Sequence, residues 1–337
     1  MTNLETMYMG IPLRNPIIAG ASAWTSSVDS ILRLEQAGVA AVVTKSLFEE
    51  QIQLERFKFD EDQEKYNCRH ADMITVFPKL EYAGPQEHLV WVGKAKAAAR
   101  IPVIASLNAV TPDTWIEYAQ RLAGTGVDGL ECNLFATPRD SRRTGADIEE
   151  EQVRLVAGLK SAVSIPVSVK LSPFYTNPGN VIRRMADAGA DAVVIFNRLI
   201  EPDFDIVTGR SIAPFNLSFD TDYRLPLRHI GLVEGEIDAD LCGSTGVFGG
   251  DEVIKMLLAG ASAVQIASSL FRHGPARIAV MLKDLETWMA AKGCLTLGDF
   301  KGKLSRRGTS DPWAYSRAQY ARLLLNPDEI IGNAPVL

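Results

Sequence analysis

The chain has 337 residues, of which 47% are hydrophobic and 23% charged, and its formal net charge is −6. This composition is ordinary for a globular protein and excludes a collagen-like, coiled-coil or disordered chain. The acidic balance and the lack of any Lys/Arg block argue against nucleic acid as a partner. A chain of this length suits either two domains or one large α/β barrel.

The cysteines and the hydrophobic pattern indicate the cellular setting. Cys68, Cys132, Cys242 and Cys294 are scattered without CxxC spacing, which argues against a zinc site, an iron–sulfur cluster and a disulfide framework. The first residues lack a basic region followed by an apolar run, and no stretch approaches 18 uninterrupted apolar residues. We therefore expect a cytoplasmic protein with reduced thiols, no metal and no membrane partner.

Short apolar segments alternate with helical patterns along most of the chain. The segments predicted as strands are 16–20, 40–46, 102–107, 129–135, 166–171, 192–198, 239–244 and 263–270. Their β-branched, nearly continuous apolar character is typical of parallel strands buried on both faces. The amphipathic patterns predict helices at 28–38, 112–124, 148–163, 180–189, 250–260 and 274–293.

The joins between these elements favour a barrel. Gly38, Gly126, Gly189 and Gly260 each follow a helical pattern, where a left-handed glycine turns the chain into the next strand. Eight such units predict an α/β fold of the (β/α)8 TIM-barrel type over residues 1–294. A doubly wound open sheet uses the same units and is the alternative.

Three stretches interrupt the alternation. Residues 48–82 and 199–228 leave from the carboxyl ends of predicted strands, so we expect them to be loops inserted at the C-terminal face. Barrel enzymes build their active sites at that face. Residues 295–337 are predicted to form a helical extension that packs on the barrel or at a subunit interface.

Polar side chains are concentrated where the predicted strands end. They are Lys45, Ser46, Asn108, Asn133, Lys170 and Asn197. A lysine on an otherwise apolar strand is costly to bury without a partner. The set therefore predicts a polar ligand over the mouth of the barrel.

The last two predicted strands add an anion site. The segments GSTG (243–246) and QIASS (265–269) place small residues between a strand and a helix. Backbone N–H groups in such turns can bind a phosphate, and phosphate at these two loops recurs in barrel enzymes. A phosphate-bearing ring cofactor such as FMN suits this layout, with Lys170 near the N1/C2-carbonyl edge of the ring.

The chain resembles the dihydroorotate dehydrogenase family of FMN-containing barrels over roughly residues 3–290. The segments that carry the resemblance are NPIIAGAS (15–22), TKS (44–46), ECNLF (131–135), SVKLSP (168–173), IFNR (195–198) and GSTGVFGGDEVIKMLLAGASAVQIASSL (243–270). The last segment is the most specific of these.

The resemblance implies a role for each matching residue. Flavin contacts are implied for Ala19, Gly20, Lys45, Ser46, Asn108, Asn133 and Lys170. The phosphate would be held by Thr245, Gly246, Ala267 and Ser268. The substrate carboxylate would be bound by Lys45, Asn133 and Asn197.

The resemblance also implies an activity, the oxidation of dihydroorotate to orotate in pyrimidine biosynthesis. A base removes a proton next to a carbonyl, and a hydride passes from the neighbouring carbon to flavin N5. Lys45 and Thr137 are the candidate catalytic residues. The expected partners are a small carboxylate substrate and, as open alternatives, a second copy of the chain or a separate electron-acceptor protein.

Two positions depart from the family pattern. Ala136 stands where the family has a cysteine or serine base, so Thr137 is the nearby alternative. Arg198 stands where a small hydroxyl or amide residue usually follows Asn197. These departures leave open a related flavoprotein that acts on another substrate or relays electrons. A non-flavin barrel that uses Lys170 as a Schiff-base amine is the remaining alternative.

Overall fold

The computed structural model describes residues 2–54, 84–134, 140–198, 202–212 and 217–311, together with 315–316, 321–322 and 324–325. The strands are β1 (Thr6–Tyr8), β2 (Ile11–Leu13), β3 (Ile17–Ala19), β4 (Ala41–Val43), β5 (Leu47–Phe48), β6 (Val103–Asn108), β7 (Gly129–Leu134), β8 (Val167–Leu171), β9 (Ala192–Ile195), β10 (Asp203–Asp205), β11 (Arg210–Ile212), β12 (Asp240–Ser244) and β13 (Ala263–Ile266). The helices are α1 (Val28–Ala37), α2 (Pro85–Ala98), α3 (Pro112–Ala123), α4 (Gly145–Ala162), α5 (Pro178–Asp187), α6 (Arg224–Val233), α7 (Gly250–Ala259), α8 (Ser268–His273) and α9 (Arg277–Lys292).

Eight parallel strands close into a barrel. They are hydrogen-bonded in the order β4–β3–β13–β12–β9–β8–β7–β6, and β6 pairs back with β4. Helices follow the strands and cover the outside. The predicted (β/α)8 barrel is therefore confirmed, and the open-sheet alternative is wrong.

Successive side chains along each barrel strand point alternately outward and inward, and they form two separate apolar clusters. On β3, Ile17 and Ala19 belong to the large cluster that includes the helices, whereas Ile18 belongs to a smaller cluster with Val43 and Val194. The smaller cluster fills the lower part of the barrel interior. Because successive side chains point to opposite sides of a strand, this pattern fixes which residues face the barrel axis.

The N-terminal hairpin closes the bottom of the barrel. β1 and β2 pair antiparallel, and the hairpin buries Tyr8 and Leu13 in the inner cluster. The backbone N–H of Met9 donates to Asp240 Oδ2 at 2.8 Å, at the start of β12. The hairpin thus covers the amino ends of the barrel strands, opposite the carboxyl ends where the polar residues were predicted.

A repeated carboxylate clamp joins neighbouring barrel strands. Asp128, just before β7, accepts hydrogen bonds from the N–H of Val103 and from Lys96 Nζ, both at 2.7 Å. Asp191, just before β9, accepts from the N–H of Val167 at 2.7 Å and from Lys160 Nζ at 2.5 Å. Each clamp joins the first residue of one strand, and a lysine of the helix that precedes this strand, to the turn that leads into the next strand.

Several elements differ from the sequence-based prediction. The predicted strand 263–270 ends at Ile266, and α8 begins at Ser268, because the small residues after β13 turn the chain instead of extending it. Helix α6 begins at Arg224, and the exposed hairpin β10–β11 was not anticipated. Most of the 48–82 stretch lies outside the described residues.

The start of the C-terminal extension packs against the barrel. Lys301 Nζ donates to Ser262 Oγ at 2.6 Å. The N–H of Gly302 donates to the carbonyl of Leu257, and that of Arg306 to the carbonyl of Gly231. Residues 301–308 are turns in the described structure. Their contacts with the ends of α6 and α7 attach this segment to the barrel.

Replacing the Asp191 clamp should destabilise the protein. Asp191→Ala leaves the buried N–H of Val167 without an acceptor and removes the partner of Lys160, so we expect the free energy of unfolding to fall by about 1–3 kcal/mol. Urea unfolding measures the change, and Asp187→Ala, at an exposed position on α5, is the matched control. Equal stability of the two variants would contradict the clamp.

Candidate functional site

A buried ion pair lies in the upper interior of the barrel. Lys170 on β8 donates from Nζ to Gln265 Oε1 at 2.9 Å and lies 3.8 Å from Glu131 Oε1. Gln265 Nε2 donates to Glu131 Oε2, which closes a three-residue network across β7, β8 and β13. An ammonium has three N–H donors, and Gln265 accepts one of them. Lys170 can therefore donate to a ligand at the mouth.

The carboxyl end of β3 passes beside this network. The N–H of Gly20 donates to the carbonyl of Ile266 at 2.9 Å. A Cβ on Gly20 would lie 3.2 Å from Gln265 Oε1, so the missing side chain lets the backbone approach the network. The side chain of Ala19 packs in the outer cluster, which leaves only its backbone for the mouth.

Two predicted asparagines meet at the ends of β7 and β9. Asn197 Nδ2 donates to Asn133 Oδ1 at 3.0 Å, and both side chains are half-buried. Asn133 is also the register partner of Lys170 on the neighbouring strand. The two amides retain free donors and acceptors for a polar ligand beside the ammonium.

The opposite wall of the mouth contains Lys45, Ser46 and Asn108. Ser46 Oγ lies 2.7 Å from Ser106 Oγ, which fixes it against β6. Lys45 is held by its backbone N–H, which donates to the carbonyl of Thr25 at 3.0 Å, while its side chain is half-buried. Asn108 is buried at the carboxyl end of β6.

Near Lys45 lies a histidine that the sequence analysis did not single out. His88 is in the first turn of α2, and its ring centroid lies 5.4 Å from that of Trp91. Burial and the positive charge of Lys45 lower the pKa of His88 to about 4. His88 Nε2 is buried and makes no hydrogen bond within the described part of the chain. The imidazole is therefore neutral at physiological pH.

The thiol adjacent to Asn133 in sequence faces away from the site. Cys132 lies between Glu131 and Asn133 on β7 and belongs to the outer apolar cluster. Burial, followed by the charge of Glu131, raises the pKa of the Cys132 thiol to about 12. This cysteine is a packing residue and cannot serve as a thiolate base at neutral pH.

The turn after β12 has the geometry of a close backbone approach. Thr245 and Gly246 both have positive φ, at 79° and 75°. A Cβ on Gly246 would lie 2.3 Å from the backbone N of Tyr223, so no larger residue fits there. Thr245 Oγ1 donates to the carbonyl of Phe196 at 3.0 Å, which joins the turn to the end of β9.

Ser218 connects the two predicted phosphate turns and was missed by sequence reasoning. Its Oγ accepts from the N–H of Gly246 at 3.3 Å, and its N–H donates to Ser268 Oγ at 3.0 Å. The neighbouring Ser269 Oγ is buried without a hydrogen-bond partner among the described residues. Ala267 immediately precedes α8. No periodic signal marks Ser218, because it lies in an irregular segment of the chain.

Arg198 turns toward the same segment. Its Nη1 lies 2.5 Å from Asp222 Oδ2, which also accepts from the N–H of Phe219 at 2.9 Å. A cavity of about 380 Å³ lies between this ion pair, Asn197, Phe174 and Arg224. Arg198 thus holds the Ser218–Asp222 segment while Asn197, one residue earlier, faces Asn133.

Some predicted features cannot be placed. Thr137 and Ala136, the alternative and the usual base position, lie outside the described residues, as does Cys68. Within the described ranges, no group of three or more His, Cys, Asp or Glu side chains could hold a metal ion. No helix in the part of the chain that the structure describes is long and apolar enough to cross a membrane.

Comparison with known proteins gives a consistent result. The family model described as dihydroorotate dehydrogenase matches residues 80–289. The catalytic subunit of dihydroorotate dehydrogenase B (NAD(+)) of Methanothermobacter thermautotrophicus is 27% identical over 309 residues, covering 89% of this chain and 97% of that protein. The subunit of the same name from Thermoplasma volcanium is 28% identical over 295 residues, covering 86% and 94%. Dihydroorotate dehydrogenase A (fumarate) of Limosilactobacillus reuteri is 25% identical over 298 residues, also covering 86% and 94%.

The turn at Gly246 can be tested against a glycine with the same backbone conformation. Gly126 has φ of 84° but open space where a Cβ would lie. Gly126→Ala should therefore cost only the backbone strain, about 1–2 kcal/mol. Gly246→Ala adds a clash with the Tyr223 backbone and should lower the free energy of unfolding further. Equal losses in urea unfolding would show that the close approach is absent.

His88 should make stability depend on pH. Its pKa is about 4 in the folded chain and about 6.5 in the unfolded chain, so the unfolded chain binds the proton more tightly. The stabilisation is fully present above pH 6.5 and is lost as the pH falls to 4, by about 3 kcal/mol.

Urea unfolding between pH 7 and pH 4 measures this dependence. His88→Gln should flatten the slope of unfolding free energy against pH. His273→Gln, at an exposed position on α8, controls for removing an imidazole. A His88→Gln variant that keeps the wild-type slope would contradict the assignment.

Proposed function

The chain belongs to the dihydroorotate dehydrogenase family, and we propose that it is an FMN-dependent oxidoreductase that oxidises a CH–CH bond of a small carboxylate, with dihydroorotate as the leading substrate. The observation that carries this proposal is the Lys170–Gln265–Glu131 network in the upper interior of the barrel. A buried ammonium aimed at a ligand site is suited to an electron-rich ring.

The two turns after β12 and β13 fit a phosphate. Gly246 lets two backbone segments approach closely at the first turn, and Ser269 Oγ is a buried hydroxyl without a partner among the described residues at the second. We propose that the phosphate is held by the N–H and hydroxyl groups of Thr245, Gly246, Ala267 and Ser268, with Ser218 as an additional ligand. Backbone and hydroxyl donors of this kind bind anions without a full positive charge.

The ring end of the cofactor fits the remaining polar set. Gly20 and the backbone of Ala19 would line the ring, and Lys170 would donate to its N1/C2-carbonyl edge. Lys45, Ser46, Asn108 and Asn133 would complete the contacts. Bound FMN would supply a two-electron acceptor that takes up hydride at N5.

Lys45, Asn133 and Asn197 are proposed to hold the substrate carboxylate. The hydrogen bond between Asn197 Nδ2 and Asn133 Oδ1 fixes the two amides relative to each other, so that they can orient one ligand. Lys45 offsets the charge of the carboxylate. The neutral His88 behind it adds no second positive charge, which would otherwise repel the lysine.

The residue that accepts the substrate proton differs from the usual cysteine or serine of the family. Ala136 has no atom that accepts a proton, so we propose Thr137 Oγ1 as the acceptor. Loss of an optimal base typically lowers the rate by 10²–10⁴-fold. A slow proton transfer with intact binding is therefore expected with dihydroorotate.

A related substrate is the second candidate. The cavity of about 380 Å³ borders Asn197, and Arg224 adds a positive charge beside its apolar lining. These features favour a carboxylate larger than dihydroorotate. Arg198 is committed to Asp222, so it is not the residue that would bind such a substrate directly.

A Schiff-base mechanism is disfavoured by the same network. An amine must be unprotonated to attack a carbonyl. Lys170 Nζ instead donates to Gln265 Oε1 and lies 3.8 Å from Glu131 Oε1, so the nitrogen is engaged by two polar partners.

Reoxidation is proposed to involve a separate partner. Some relatives are named as catalytic subunits of an NAD(+)-linked enzyme. We propose that this chain likewise passes electrons to another protein, and that it does so in the cytoplasm.

Anaerobic mixing with dihydroorotate tests the proposed function. The purified protein should be yellow, and its flavin band near 450 nm should bleach. Lys45→Met should slow bleaching by about 10²-fold, because it removes the charge that binds the carboxylate.

Lys94→Met, at an exposed position on α2, is the control and should bleach as wild type does. Colourless protein that takes up no FMN would contradict the cofactor. Bleaching by a larger carboxylate but not by dihydroorotate would favour the second candidate.

A further inference from the structure

A buried carboxylate lies one level below the lysine proposed to face the flavin. Glu131 is 1% exposed and has no part in the chemistry described above. It precedes Asn133 by two residues on β7, so its side chain points to the same side of the strand but deeper in the barrel. Through Gln265 it is joined to Lys170 by hydrogen bonds, in addition to the 3.8 Å approach of the two charges.

The barrel does not need this charge for packing. At the same depth, apolar side chains such as Val194 and Cys242 fill the interior. Replacing a buried ion pair by apolar residues is often neutral or stabilising. Glu131 Oε1 also accepts no hydrogen bond within the described residues, which adds to the cost of burying it. Because burying the Glu131 carboxylate is costly and it lies beside Lys170, we infer that Glu131 acts by influencing Lys170.

The orientation of Gln265 is fixed by its two neighbours. Lys170 offers only donors, so the amide must present Oε1 to it, and the carboxylate of Glu131 then receives Nε2. Gly20 packs beside Oε1 without a side chain. The ammonium therefore has one position, set from below by Glu131 and from the side by Gln265.

We propose that Glu131 is a positioning residue that fixes the Lys170 ammonium and offsets its charge, thereby lowering the reduction potential of the bound flavin. The inference rests on the proposed function. Two-electron reduction places negative charge on the ring edge that Lys170 contacts, and an unopposed ammonium there would favour the reduced form. A carboxylate a few ångströms deeper cancels part of that field.

Equilibrium reduction of the FMN-loaded protein against a reference dye tests the proposal. Glu131→Gln keeps the shape and removes the negative charge. At a fixed ambient potential, we expect the ratio of reduced to oxidised flavin to rise at least tenfold, which is about 30 mV for a two-electron couple. Glu286→Gln changes the net charge equally at an exposed position on α9 and should leave the potential unchanged.

A second variant covers the case in which Glu131→Gln does not fold because Lys170 is left without its counter-ion. The double variant Glu131→Gln/Lys170→Gln replaces both charges with amides and should fold. Its potential should lie below that of wild type, because the donor ammonium is gone. It should also lie above the potential of Lys170→Gln alone, because the carboxylate that opposes electron uptake is gone as well, and equal potentials of these two variants would show that Glu131 only supports the fold.

These experiments distinguish a failure of the Glu131 inference from a failure of the proposed FMN-dependent function. A Glu131→Gln protein that folds, binds FMN and keeps or lowers the wild-type potential would overturn the inference and leave the proposed function intact. A double variant that fails to fold would also overturn it, because the charges would then be needed for packing. Wild-type protein that retains no FMN would overturn both.

Discussion

An ammonium placed inside an apolar barrel is the constraint on which the rest of the structure depends. Lys170 cannot be buried without partners, because desolvating a charge costs several kcal/mol. Glu131 and Gln265 supply those partners from two other strands. The three side chains divide the interior into an apolar lower part, closed by Tyr8 and the N-terminal hairpin, and a polar upper part that opens at the mouth.

The placement of this network depends on the register of the strands. The clamps at Asp128 and Asp191 fix where β7 and β9 begin relative to their neighbours, and the alternation along each strand then sets which side chains face inward. A register shift of one residue would turn Lys170 into the helix layer. The chemistry at the top of the barrel is therefore positioned by hydrogen bonds at the bottom.

Much of the barrel follows from local sequence patterns. The eight apolar segments predicted the strands because both faces of a parallel strand are buried, and Gly38 and Gly260 are left-handed at helix ends as expected. The hairpin β10–β11 and the start of α6 at Arg224 gave no comparable signal, because they lie in an irregular, charged stretch. The eighth strand was predicted too long, since the small apolar residues 267–270 suit a strand as well as a helix start.

In the candidate site, too, residues with a local sequence signal were predicted, whereas contacts between distant residues were not. Lysines and asparagines at strand ends were visible because polar residues interrupt apolar runs, and in the structure Asn133 bonds to Asn197 and pairs in register with Lys170. The connections between them were not visible. Gln265 was noted only as part of a turn, and Ser218 not at all, because their partners are distant in sequence and depend on the closed barrel. Thr137 remains a prediction.

We propose that the mouth of the barrel binds FMN, with the phosphate in the turns after β12 and β13 and the ring over Lys170. Titration of the cofactor-free protein with FMN and with riboflavin, which lacks the phosphate, tests this most directly. FMN should bind at least about tenfold more tightly than riboflavin, a difference of about 1.4 kcal/mol. Equal affinity for the two, or no binding of either, would contradict it.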